Sequence, residues 1–266
     1  MDLRLNGKKA VVTGGTQGIG YAVAQEFLRE GAYVVISGRN EERLERALQD
    51  LAGIAGKEHI AGYALDGTRE DEAYEFARLA AGPEGRIDAW VNNIGTNRAR
   101  SEELYTEEEL DFLIAALFKS AVFGSQAAFC YMKKHGGSIV NISSLAARAA
   151  TCGRSTIYGA LKSAVVGLTN TTAGEYAAYG VRVNAVLPGY TATPLVKNSF
   201  TDRDLQELLQ NNLIGRMAQP EEIARPVVFL ASDAASYITA ASLEVSGGHN
   251  MVLNPQYSFQ KKRENS

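Results

Sequence analysis

Val11–Gly20 reads VVTGGTQGIG. A short β-branched run gives way to a turn holding Gly14, Gly18 and Gly20, and the helical pattern GYAVAQEFLREG grows out of it. A strand that turns this sharply into a helix needs glycine where the backbone doubles back or approaches another group closely. A helix N-terminus at that point presents unpaired N–H groups and a partial positive charge, which suits a pyrophosphate. The same turn would need glycine with no ligand at all, so the stretch speaks first to architecture.

Working outward, β-branched runs alternate with helical patterns along the whole chain. KAVVT, AYVVIS, IAGYALD, RIDAWVNN, GSIVNIS, VRVNAVLPG and ASLEVSGG read as strands. Between them lie NEERLERALQDL, REDEAYEFARLA, a long helical region from about Thr106, TIYGALKSAVVGL, and two further helical segments. Strand–helix alternation implies right-handed crossovers, and so an α/β fold: a single doubly wound parallel sheet with helices on both faces. Without repeats, low-complexity tracts or a Pro/Gly/Ser-rich linker, residues 1–250 are expected to form one domain, with 251–266 as a C-terminal extension.

The chain has 266 residues, 45% of them apolar, and a formal charge of −3. That balance supports a globular core and gives no support for nucleic-acid binding, which needs concentrated basic surface. MDLRLNGKK at the start lacks an apolar signal core, and FLIAALFKSAVFG is interrupted by Lys119 and reads as too short to span a bilayer. The expectation is a cytoplasmic protein with no membrane partner. Cys130 and Cys152 have no metal or redox spacing, and His59, His135 and His249 are scattered, so no metal is expected.

Two places carry chemistry. In TIYGALKSAVVGL (Thr156–Leu168), Tyr158 and Lys162 lie one helical turn apart on one face. A phenol with an ordinary pKa near 10 needs help to exchange a proton at neutral pH, and an adjacent ammonium favours the phenolate. Gly159, Ala160, Ser163, Ala164 and Gly167 permit close approach to that helix; a packed aromatic beside a snorkelling lysine is the bland alternative. At the end of the second strand, VVISGRNEERL has Gly38 where a carboxylate would hold ribose hydroxyls. Arg39 follows, suited to a ribose 2′-phosphate, so NADP(H) is favoured, with NAD(H) as the alternative.

TGGTQGIG, NNIG, NISS, YGALK and PGYTATP occur in an order and at spacings that resemble the short-chain dehydrogenase/reductase family, from about Asn6 to Gly248. The resemblance implies a Rossmann-type fold and hydride transfer between a nicotinamide and an alcohol or carbonyl. It implies Ser144, Tyr158 and Lys162 as the catalytic group. It also implies a cofactor site over Gly14, Thr16, Gln17, Gly18, Ile19, Gly20, Ser37, Arg39, Asp66, Gly67, Asn93, Gly95, Tyr158, Lys162, Pro188, Gly189, Thr191 and Thr193. Ser143 points the other way by strand alternation, Asn92 reads as structural, and Ile94 as tightening the adenosine side.

The family's long fourth helix usually carries an asparagine that completes a proton relay; Leu117 stands there, or Ala116 or Phe118 if the register slips. A leucine side chain cannot bond a water, so a backbone carbonyl must serve, or the chain is an NADP(H)-binding sensor or scaffold with little turnover. Substrate specificity is expected in the loops after the fourth, fifth and sixth strands, with a helical lid near 194–215. Arg98, Arg148 and Arg154 could gather an anionic group. The expected substrate is a secondary alcohol or ketone: a sugar acid or polyol, or a 3-oxoacyl thioester. The resemblance also implies a homo-oligomer, tetramer or dimer.

Overall fold

The computed structural model describes residues 2–96, 104–149 and 156–264. Arg98, Cys152 and Arg154 lie outside them. Seven parallel strands form one sheet: β1 (Lys9–Val12), β2 (Tyr33–Gly38), β3 (Ile60–Ala64), β4 (Ala89–Asn92), β5 (Gly137–Ile142), β6 (Val181–Pro188) and β7 (Ser242–Val245). Their order is β3-β2-β1-β4-β5-β6-β7. The chain leaves from the centre in one direction, returns, and leaves in the other, so the carboxyl ends of β1 and β4 flank a crevice where ligands of such sheets bind.

Alternation along the strands explains the two cores. Ala10, Val12, Val34, Ile36, Ala89 and Val91 face one side, packed under α1 (Gly18–Arg29), α2 (Glu41–Ala55) and α9 (Pro220–Ala231). Val11, Val35, Trp90 and Ile139 face the other, under α3 (Glu70–Ala81), α5 (Ser120–Met132) and α6 (Thr156–Tyr176). Both faces are covered, which is why the strands read as nearly continuous apolar runs.

The fourth helical region departs from expectation. α4 (Glu107–Ile114) opens with a capping box between Thr106 and Glu109, then continues through a π turn at Ala115–Lys119 directly into α5. The result is a single 26-residue rod, Glu107–Met132, long and apolar enough to cross a membrane by length and composition. Lys119 does not shorten it as the sequence suggested. Half of its apolar window is buried inside the protein, against α3, β4 and α6.

After β6 the chain makes a helical excursion, α7 (Pro194–Lys197) and α8 (Asp202–Leu209), before α9. The C-terminal extension forms α10 (Tyr257–Glu264) and folds back on its own chain.

Candidate active site

The turn after β1 is shaped from beneath. Gly14 and Gly18 take φ of +63° and +59°, the left-handed region where a side chain is strained. The Ser37 hydroxyl accepts a hydrogen bond from the Gly14 amide at 3.4 Å, and the Asn93 side-chain amide donates to the carbonyls of Thr13 (3.1 Å) and Gly14 (3.0 Å). A Cβ on Gly20 would collide with that asparagine amide. The turn is therefore locked in place by the first residue after β4.

At the start of α1 no side chain caps the helix and no acidic residue occupies its first turn. Free amides, the helix dipole and glycine surfaces together fit a dinucleotide pyrophosphate. The cavity there has a volume of about 390 Å³ and runs from the glycine turn past Arg39 and Asp66 to Ser144, Tyr158 and Lys162. Thr16, Gln17, Ile19, Asn93, Gly95, Pro188, Gly189, Thr191 and Thr193 also line it. Of the residues named from the sequence, Gly20 and Gly67 do not: Gly20 faces Asn93, and Gly67 backs onto Ile94, whose Cδ1 would lie 2.7 Å from a Cβ there.

The adenosine end has its own logic. A Cβ at Gly38 would sit 2.5 Å from the Thr16 methyl, so Thr16 fills the space an acidic side chain there would need. Arg39 is exposed and pairs with Asp66 at 3.6 Å, while the Asp66 carboxylate also accepts from the Thr68 amide and hydroxyl. Arg43, not singled out from the sequence, also lines the cavity. It stands in the first turn of α2, just past the Asn40 cap that accepts its amide hydrogen bond. That placement was the available signal.

At the other end Ser144 and Tyr158 line the cavity together with Lys162. Ser144 is held by accepting from the Ala146 amide at 3.1 Å, and Ser143 turns away to donate to the Lys162 carbonyl at 2.8 Å. Lys162, 4% exposed, donates from Nζ to the Ile142 carbonyl at 2.8 Å and lies 5.9 Å from the Tyr158 ring centre. Burial lowers this ammonium from 10.5 to about 8.

The expectation that Lys162 makes the phenol more acidic is not met by the protein's own groups. Burial raises Tyr158 above its ordinary value, and the Ser144 hydroxyl opposes it. At about 8 the lysine still carries its charge at pH 7, so its help to the phenol comes as phenolate forms rather than in the resting site.

Leu117 falls inside the π turn, fully buried, with Cδ2 3.7 Å from where a Cβ on Gly95 would stand. The carbonyl that takes the lysine hydrogen bond is Ile142. Asn92 is buried away from the cavity, accepting from Trp90 Nε1 (2.7 Å) and donating to Asn141 (2.8 Å) and Ser125 (2.9 Å). Arg148 does not line the cavity; it reaches the Ser242 carbonyl at 3.3 Å and Glu244 at 3.9 Å.

A phosphate cradle that opens onto a serine, a phenol and an ammonium is the equipment of a nicotinamide-dependent oxidoreductase. Comparison with known proteins agrees: residues 14–250 match the family described as enoyl-(acyl carrier protein) reductase. The chain belongs to the short-chain dehydrogenase/reductase family, whose members bind NAD(P)(H). A 3-oxoacyl-[acyl-carrier-protein] reductase, FabG, of Thermotoga maritima is 36% identical over 247 residues, 92% of this chain and 99% of the relative. A 7alpha-hydroxysteroid dehydrogenase of Clostridium sardiniense is 36% identical over 260 residues, 96% and 97% of the two chains. Among solved structures, L-sorbose reductase from Gluconobacter frateurii, complexed with NADPH and L-sorbose, superposes with a TM-score of 0.87. Its identity is 30%, over 95% of this chain and 100% of that one.

Proposed function

We propose that the protein is an NADP(H)-dependent reductase or dehydrogenase of a ketone/secondary-alcohol pair, and that Ser144, Tyr158 and Lys162 are its catalytic residues. The observation that carries this is a single cavity that brings Ser144, Tyr158 and buried Lys162 together with the glycine turn. The nicotinamide, when bound, supplies or accepts the hydride. Ser144 orients the substrate oxygen, and Tyr158 donates a proton to it in reduction or takes one in oxidation. Lys162 positions the cofactor ribose and stabilises phenolate as it forms.

Arg39, with Thr16 closing the corner where an acid would stand, favours NADP(H) over NAD(H). For the substrate, Pro194, Leu195 and Val196 give the cavity an apolar wall, and Arg148 is engaged elsewhere. An apolar-flanked ketone such as a 3-oxoacyl thioester therefore fits better than a sugar acid. FabG of Thermotoga maritima is named for that reaction. Assembly as a homo-oligomer is part of the proposal, and sedimentation would measure it.

The test is a panel of 3-oxoacyl thioesters, cyclic ketones, polyols and sugar acids with NADPH and with NADH. Activity should be greatest with NADPH and an apolar-flanked ketone. Tyr158→Phe should lower kcat by about 10²–10⁴-fold and leave the NADPH Kd nearly unchanged. A fully active Tyr158→Phe enzyme would remove the phenol from the mechanism.

A further inference from the structure

Residues 251–264 continue beyond the last strand, and they turn back onto the end of the helical excursion. Gln256 Nε2 donates to the Gln210 carbonyl at 2.7 Å. The Phe259 ring packs against Gly215, with Cζ 3.4 Å from where a Cβ would be; Gly215 has φ +76°, so a side chain there would be strained.

The same short segment is gripped from the other side by the turn after β7. The Asn250 amide donates to the Asn211 carbonyl at 3.0 Å, and the amides of Leu213 and Ile214 both reach the Gly247 carbonyl. Buried Asn212 donates to the Ser246 carbonyl at 2.9 Å. Residues 210–215 are thus held between the β7 turn and the C-terminal helix.

These residues end the excursion that starts at Thr193, and its first helix supplies Leu195 and Val196 to the cavity. An aromatic line ties the middle of the excursion to the same turn. Phe200 meets the edge of Tyr190 at 5.9 Å, and Tyr190 meets His249 at 5.3 Å. Displacing the far end of the excursion therefore has a mechanical route back to α7, through the β7 turn and three rings.

We propose that Gln256 and Phe259 are positioning residues for substrate: α10 braces residues 210–215, and through them holds α7 against the cavity. The part concerning substrate rests on the reading that α7 borders the substrate end of the site. One hydrogen bond and one packed ring face are worth roughly tenfold in a local opening equilibrium. The effect should fall on substrate binding, because neither residue touches the cavity or the cofactor cradle.

The experiment compares the full-length chain with a full-length Gln256→Ala/Phe259→Ala variant, one substitution lying directly before α10 and the other on it. Amide exchange followed by mass spectrometry should accelerate about tenfold at 210–215, and also at 194–200, with the sheet unchanged. The KM for the best ketone of the panel should rise about 3- to 10-fold, with kcat and the NADPH Kd within twofold. Faster exchange confined to 210–215 would show α10 to be a local appendage and overturn the brace. Faster exchange at 194–200 with an unmoved KM would overturn the substrate role. If no ketone is turned over by either protein, the functional reading fails and exchange at 194–200 alone decides whether the brace exists.

Discussion

Replacing Lys162 by methionine should weaken catalysis while leaving the fold at least as stable at neutral pH. The ammonium is almost completely buried, and its pKa falls from 10.5 to about 8 for that reason. At about 1.4 kcal/mol per pH unit, the gap corresponds to a penalty of about 3 kcal/mol whenever both folded and unfolded chains carry the charge. Methionine removes that penalty, keeps most of the side-chain volume, and loses the hydrogen bond to Ile142, a charged bond worth roughly 1.5–3 kcal/mol. The net change at pH 7 is between nothing and about 1.5 kcal/mol in favour of the variant.

The pH dependence separates this from ordinary repacking. Between about 8 and 10.5 the unfolded chain still holds the lysine proton that the folded chain has released, so parent stability rises with pH through that window. The variant lacks this contribution, and its advantage should shrink and then reverse as pH approaches 10. Urea denaturation of both proteins from pH 7 to pH 10, at one protein concentration and without cofactor, gives the difference curve directly. Parallel curves would mean that Lys162 titrates alike in both states, and the burial argument would be refuted.

Two other substitutions test the cavity and the core. Gly38→Asp alone should not create an NADH enzyme, because the Thr16 methyl stands in its way; both dinucleotides should bind at least about tenfold more weakly, and adding Thr16→Ala should restore NADH binding selectively. Calorimetric titration with each dinucleotide measures this, and tight NADH binding by the single variant would contradict the steric reading. Asn92→Leu should destabilise the fold by about 2–5 kcal/mol, since Trp90 Nε1 and Asn141 lose buried partners, with a matching fall in the urea midpoint.

The sheet was legible because its strands alternate between two covered faces, and Val11 and Val12 belong to different cores as period two requires. The proposed trio was legible because Tyr158 and Lys162 share a helix face and Ser144 follows two residues after β5. What could not be read were properties set by partners distant in sequence. The π turn at Ala115–Lys119 leaves no trace in apolar spacing, and it makes one rod of what looked like an interrupted stretch. Arg148 looked like a substrate clamp until Ser242, on the last strand, claimed it. The direction in which Tyr158 and Lys162 shift depends on burial, and burial is a sum over neighbours that no short motif encodes.

The lock on the glycine turn has a kinetic consequence. Because Asn93 and Ser37 fix the backbone of this turn during folding, little conformational freedom is left to be lost when a dinucleotide docks. Docking should then resemble a key entering a cut lock: a single fast phase limited by encounter, with no slow rearrangement following it. Loosening the turn through Asn93→Ala should lengthen the search for the bound shape, seen in stopped-flow traces as a slower approach to the same fluorescence end point.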